Sequence, residues 1–246
     1  MAMKTKHNRK SERGSALVYI LIAIALLAAL TVTFMEPSSQ QTSSQSGFRT
    51  SAEVKGQIDV IRSSVQECIL RYSQGDNSIP NGGGEAEEGA RIEYPIDPNS
   101  SYLPAASQSG GQLVRDIRCP GNQGGGGAND HQPIFGGNTG KYLQAAPALF
   151  GEWQWYNGND GVFFWIATDN SDAYLRSSLE KLDENYSECE VDIIDNQSSA
   201  TPLNIDSDGD VSCPANSLCF RVWMINLGTA PHGDFDVDNN CGASQT

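Results

Sequence analysis

Histidine is nearly absent: three residues in 246, His7, His131 and His232. No Gly-x-Ser-x-Gly element accompanies them, so the imidazole-activated hydroxyl of a serine hydrolase has no basis in the chain. There is no Cys-x-x-Cys pair either. That argues against a zinc site and leaves disulfides as the reading of an even count of six cysteines, Cys68, Cys119, Cys189, Cys213, Cys219 and Cys241. Positive charge is also short, with 16 Lys and Arg against 30 Asp and Glu and a formal net charge of −14. Phosphates would repel such a surface, so no nucleic-acid partner is expected. The stretch from Gly136 to Gly140-Lys141 hints at a phosphate loop, but Phe135 stands where its first Gly is required and Tyr142 follows the Lys. Carboxylates are plentiful, yet a glycosidase pair depends on a separation in space that linear order does not reveal. The expectation is a protein that is not an enzyme.

What the chain has instead is one long uncharged run. Lys4, Lys6, Arg9, Lys10 and Arg13 form a basic leader ending in Gly14, and from Ser15 to Phe34 no residue is charged. Twenty apolar residues are enough to cross a bilayer as a helix. A secretory signal would have a shorter core and a small-residue cleavage site, whereas this run ends in Phe34-Met35-Glu36-Pro37. A plain single-pass anchor fits the positive-inside pattern, with the N-terminus in the cytoplasm. Removing the leader, with its five Lys/Arg and Glu12, would leave a net charge of −18.

A basic leader ending in Gly, followed directly by an apolar helix, resembles the type IV filament family, the pilins and the pseudopilins of type II secretion. The resemblance covers roughly residues 9 to 72 and implies cleavage between Gly14 and Ser15 by a prepilin peptidase, with methylation of the new N-terminus. Most members carry Glu at the fifth residue after the cut; this chain has Tyr19. Together with the run Gly-Ser-Ala-Leu-Val, that departure is similar to minor subunits such as the K-type minor pseudopilin and the X-type minor pilins. The family also uses a Pro at about the position of Pro37 to kink or melt its N-terminal helix.

The remainder divides by composition. Ser38 to Ser46 is rich in Ser and Gln and reads as a flexible linker. From residue 48 to 72, Phe48, Ala52, Val54, Ile58, Ile61, Val65, Cys68 and Ile69 recur at three- and four-residue spacing, predicting an amphipathic helix. Gly- and Pro-rich sequence from Ser73 to about Pro147 predicts mostly loop, with short strands near Arg91–Tyr94 and Gln112–Ile117. Trp153-Gln-Trp-Tyr and Val162-Phe-Phe-Trp-Ile-Ala-Thr around Asn157–Gly161 predict a hairpin. Its aromatics serve either as the sheet's core face or as a sugar-binding platform. Ser171 is placed to cap a helix of about 15 residues with Leu175, Leu179, Leu182 and Tyr186 on one face, and strands follow at Cys189–Ile194 and Leu218–Ile225.

The expected fold is therefore α+β, with a long N-terminal helix, membrane-spanning in its first half, packed on a small antiparallel sheet as in pilins. The expected divisions are residues 1–14 as leader, 15–36 as membrane or filament-core helix, 37–72 as linker and amphipathic helix, and 73–246 as a disulfide-bonded extracytoplasmic domain. The bridges that close plausible loops are Cys68–Cys119, Cys219–Cys241 and Cys189–Cys213. Each would restrict the unfolded chain.

One loop suggests a ligand. Asn204, Asp206, Asp208 and Asp210 alternate around Gly209 with Val211 after them, resembling the first half of a calcium loop. The bidentate Glu is missing, since Ala215 holds its place, so a Ca2+ site would need carboxylates from elsewhere, such as Asp234, Asp236 and Asp238. The other reading is a solvated acidic turn. The resemblance implies a minor subunit of a pilus or a type II pseudopilus, held in the bacterial inner membrane with its globular domain in the periplasm and displayed on the cell surface if assembled into a pilus. Its partners would be other pilin or pseudopilin subunits, the prepilin peptidase and the inner membrane. The alternative is a single-pass membrane-anchored binding protein for calcium or glycans.

Overall fold

The computed structural model describes residues 12–35, 39–72, 112–123, 131–136, 139–158, 160–187, 189–207 and 209–227. The chain divides into two compact units, Met1–Gln45 and Ser46–Thr246.

The first unit contains helix α1, Glu12–Met35. Leu, Ala and Ile dominate it, and no Gly or Pro interrupts it after Gly14, so its local propensity favours a helix. The membrane-spanning, pilin-like arrangement expected from the sequence is corrected here: among the described residues no helix is long and apolar enough to cross a membrane. A second helix, α2, occupies Ser39–Arg71. The Ser/Gln-rich stretch expected to be a linker is thus helical from Ser39 onward, while Pro37 lies outside the described residues.

The second unit is built on a five-stranded antiparallel sheet. Its strands are β1 (Gln112–Leu113), β4 (Gln154–Gly158), β5 (Gly161–Thr168), β6 (Val191–Asp195) and β9 (Leu218–Asn226), in the order β1-β4-β5-β9-β6. Two small antiparallel pairs sit beside it, β2 (Arg118–Gln123) with β3 (His131–Pro133) and β7 (Leu203–Asn204) with β8 (Ser212–Cys213). The β4–β5 hairpin pairs Trp155 with Phe164 and closes at Gly158 opposite Gly161. Gly161 has φ of 125°, and a Cβ there would lie 2.2 Å from the Ile225 carbonyl oxygen, so only glycine fits. Of the two short strands expected in the Gly/Pro-rich stretch, Gln112–Leu113 forms as β1 and continues into a 3-10 turn at Val114–Asp116; Arg91–Tyr94 lies outside the described residues.

Both faces of this sheet are covered, which is why β5 and β9 are continuous apolar runs rather than alternating ones. On one face, Trp155, Phe164, Ile166, Phe220 and Val222 pack with Val54, Ile58, Ile61 and Val65 of α2. Those four α2 side chains are wholly buried, each stabilising by about 1.5–3 kcal/mol through removal from water. Helix α3 (Ala173–Asp183) adds Leu179 and Leu182 to the same core. It is shorter than expected: Asp172, not Ser171, is the N-cap, and its amide donates to Asn170 Oδ1 at 2.7 Å. On the other face Tyr156, Phe163, Trp165 and Trp223 pack with Ile205, Val211 and Cys213 of the segment between β6 and β9.

Two disulfides are described. Cys68–Cys119 ties the end of α2 to β2, as expected. Cys213 pairs with Cys219, which overturns the expected Cys189–Cys213 and Cys219–Cys241 bridges. The reason is the tight return from β8 to β9: Asn216 takes the left-handed conformation with φ of 55°, bringing the two Cα atoms to 5.9 Å, within disulfide reach. Cys189 is also disulfide-bonded, and Cys241 lies outside the described residues. No described cysteine is free. Bridges of this kind place the folded domain outside a reducing cytoplasm.

Candidate functional site

Gly14 and Ser15 lie in the first turn of α1. Beyond them Leu17, Val18, Tyr19 and Ile20 are all more than half exposed. Four consecutive residues at 100° per step sweep most of the helix circumference, and the same exposure continues through Leu27. An apolar helix exposed on every side is the pattern of an element that is buried by something else. Tyr19 itself, standing where most filament subunits have Glu, is 69% exposed.

The acidic loop is organised differently from a calcium site. Asp206 is buried, and its two carboxylate oxygens accept the amide N–H groups of Asp210 at 2.8 Å and Val211 at 2.9 Å. Gly209, with φ of 78°, makes the turn that brings those amides back to Asp206. Asp160, at the tip of the β4–β5 hairpin and wholly buried, accepts the Ser207 amide at 2.6 Å. Asn204 is exposed and Asp210 half-buried, while Asp208, Asp234, Asp236 and Asp238 lie outside the described residues. Among the described residues no group of three or more His, Cys, Asp or Glu could hold a metal ion. The described part of the motif therefore fits a self-bonded turn: the carboxylates hold the segment against the sheet.

Sequence reasoning missed what lies beneath that segment. Arg221 of β9 and Asp192 of β6 form a wholly buried ion pair, with Arg221 Nε donating to both carboxylate oxygens at 3.1 and 3.0 Å. Trp223 Nε1 donates to Asp192 Oδ2 at 2.9 Å, and Arg221 Nη1 donates to the Ile205 carbonyl at 2.5 Å. The guanidinium also lies over the Phe163 and Trp223 rings, 5.2 and 4.8 Å from their centroids. The only sequence signal was a charge inside each of two apolar strand runs, Asp192 and Arg221.

The aromatic hairpin is a core, not a sugar platform. Trp153, Trp155, Tyr156, Phe163, Phe164 and Trp165 are each at most 6% exposed, and Trp155 stacks on Phe164 at 6.0 Å. Such rings present no face to a glycan.

A pocket of about 270 Å³ opens at the end of α2, lined by Ser64, Glu67, Cys68, Arg71, Cys119 and Lys141 among others. Lys141 Nζ lies 2.7 Å from Glu67 Oε2, and Arg71 Nη2 lies 3.5 Å from Glu67 Oε1. The hydrogen bond and charge of Lys141 hold the Glu67 carboxyl below its ordinary range. The loop leading to Lys141 is closed on itself rather than shaped around a phosphate: the Gly136 amide donates to the Lys141 carbonyl at 2.8 Å, and the Thr139 hydroxyl donates to the Gly136 carbonyl at 2.7 Å. His131 falls on β3, and His232 lies outside the described residues.

No protein-family model matches this chain, and neither does any curated protein or solved structure.

Proposed function

We propose that the chain is a structural, non-enzymatic minor subunit of a type IV pilus or type II secretion pseudopilus, released from its leader by a prepilin peptidase cutting after Gly14. The observation that carries this reading is α1, whose apolar side chains from Leu17 to Ala29 are exposed on every side. A helix of that kind is stable in water only when other apolar surfaces cover it, and helices of neighbouring subunits do so at no cost in buried charge. The cluster of basic residues before Gly14 and the disulfides of an exported domain support the same reading. Inner-membrane spanning by α1 is not part of it.

In this reading Gly14 and Ser15 define the cut, α1 joins the assembly, and the disulfide-bonded domain faces the periplasm or the cell exterior. A membrane-anchored binding protein for calcium or glycans is less well supported, because the hairpin aromatics are buried and Asp206 is bonded to its own loop. The test is to express the chain with and without a prepilin peptidase and to read the mature N-terminus by mass spectrometry. A product beginning at N-methylated Ser15, found only with the peptidase, is expected. An intact leader under both conditions would overturn the proposal.

A further inference from the structure

The two described disulfides differ in what surrounds them. Cys213 and Cys219 are wholly buried against the aromatic face of the sheet. Cys68 and Cys119 are 6% and 3% exposed, and both line the pocket at the end of α2. That pocket carries two cations, Lys141 and Arg71, against one carboxylate, Glu67, in a chain whose net charge is −14. We propose that this pocket is a thiol-exchange site, in which a small anionic thiol of the γ-glutamyl-cysteinyl type enters between Lys141 and Arg71 and opens the Cys68–Cys119 bridge.

The step follows from the chemistry of the groups present. The attacking thiol loses its proton to solvent, and the resulting thiolate is drawn to the two cations. Its sulfur bonds to Sγ of Cys68, the more exposed of the pair, as the Cys68–Cys119 bond breaks and its electron pair leaves on Cys119 as thiolate. The cations also favour that departing thiolate, which then takes a proton from water. A second equivalent of thiol attacks the mixed disulfide and leaves Cys68 as a thiol, so two thiols are oxidised to one disulfide while the protein bridge gains two electrons. The mechanical consequence is local. Cys68 sits in the last turns of α2, and opening the bridge frees that end from β2 while leaving Ile58 and Ile61 in the core.

The test uses the native full chain. Glutathione and uncharged 2-mercaptoethanol are added in separate reactions, newly freed cysteines are alkylated, and the modified positions are followed by mass spectrometry over time. Cys68 and Cys119 are expected to be labelled well before Cys213 and Cys219 with either thiol. Lys141→Glu is expected to slow opening by glutathione about threefold or more and opening by 2-mercaptoethanol by clearly less, because both attack as thiolates but glutathione carries a further net negative charge. Arg71→Glu is expected to do the same, so the result does not depend on one variant folding. Opening of Cys213–Cys219 as fast as Cys68–Cys119, an equal fall for both thiols, or no change for glutathione would each overturn the proposal.

Discussion

Helices α1 and α2 are neighbours in sequence and opposites in how they meet water. In α2 the apolar residues form one stripe, and Val54, Ile58, Ile61 and Val65 are buried to the last atom against the sheet. In α1 apolar residues go all the way round, and from Leu17 to Ala29 all are exposed. The stability of the sheet-bearing unit is therefore contained within it, whereas the free energy available from α1 is realised only when something else covers it. On the proposed reading, the difference separates a part of the chain that folds from a part that assembles.

The comparison can be broken at several points, and the four tryptophans make a clean reporter. Trp153, Trp155, Trp165 and Trp223 are the whole complement of the chain and all are buried in the second unit, so their fluorescence during urea unfolding reports that unit alone. The largest loss is expected for Arg221→Met, which strands Asp192 as a buried charge and costs about 3–5 kcal/mol. Adding Asp192→Leu to it should recover most of that stability, since an apolar pair of similar volume needs no compensating charge. Ile61→Ala should cost about 2–5 kcal/mol by leaving a cavity between α2 and the sheet, while Leu21→Ala on α1 should change the same transition by less than about 0.5 kcal/mol. If the two helix substitutions cost the same, the contrast drawn above fails.

Smaller effects sharpen the picture. Gly161→Ala places a Cβ against the Ile225 carbonyl at a φ that side chains rarely adopt, and should cost about 1–3 kcal/mol in the same assay. The smallest is a pH effect at Glu190. Its carboxylate accepts the Ser187 amide and hydroxyl and pairs with Arg62 of α2, and these bonds, the amide first, hold its pKa below the ordinary Glu range. Because the folded-state value is depressed, the stabilisation is complete above the unfolded-state pKa and is lost as pH falls through the folded-state value. The group is about half exposed, and screening by solvent limits the effect, so Glu190→Gln should flatten the acid side of the stability profile by no more than about 1 kcal/mol.

Local signals carried well where one chemistry decided the outcome. The four-and-three spacing of Val54, Ile58, Ile61 and Val65 predicted the buried stripe of α2, and the aromatic runs around Asn157–Gly161 predicted the β4–β5 hairpin. The Cys68–Cys119 bridge, expected only because it closes a plausible loop, forms. What failed depended on backbone turns and on tertiary cover that linear order does not show. The Asp206 motif reads as a cation loop only until Asp210 and Val211 are seen to turn their amides onto it. The Cys213–Cys219 pair depends on the left-handed conformation of Asn216 in the return from β8 to β9, which the order of residues does not show. The second face of the sheet was unreadable for the same reason, since its cover, Ile205 and Val211, comes from a segment with little regular structure. The Ser/Gln-rich run after Pro37 misled in the opposite direction, because weak helix propensity did not prevent α2 from beginning at Ser39.

The claim that α1 is covered by other subunits is tested most directly by placing a photoreactive benzophenone side chain at Leu21 in the full chain and irradiating cells that make it. Covalent adducts between this chain and other protein subunits, formed through position 21, are the expected result. Adducts only with phospholipid, or none at all, would contradict it.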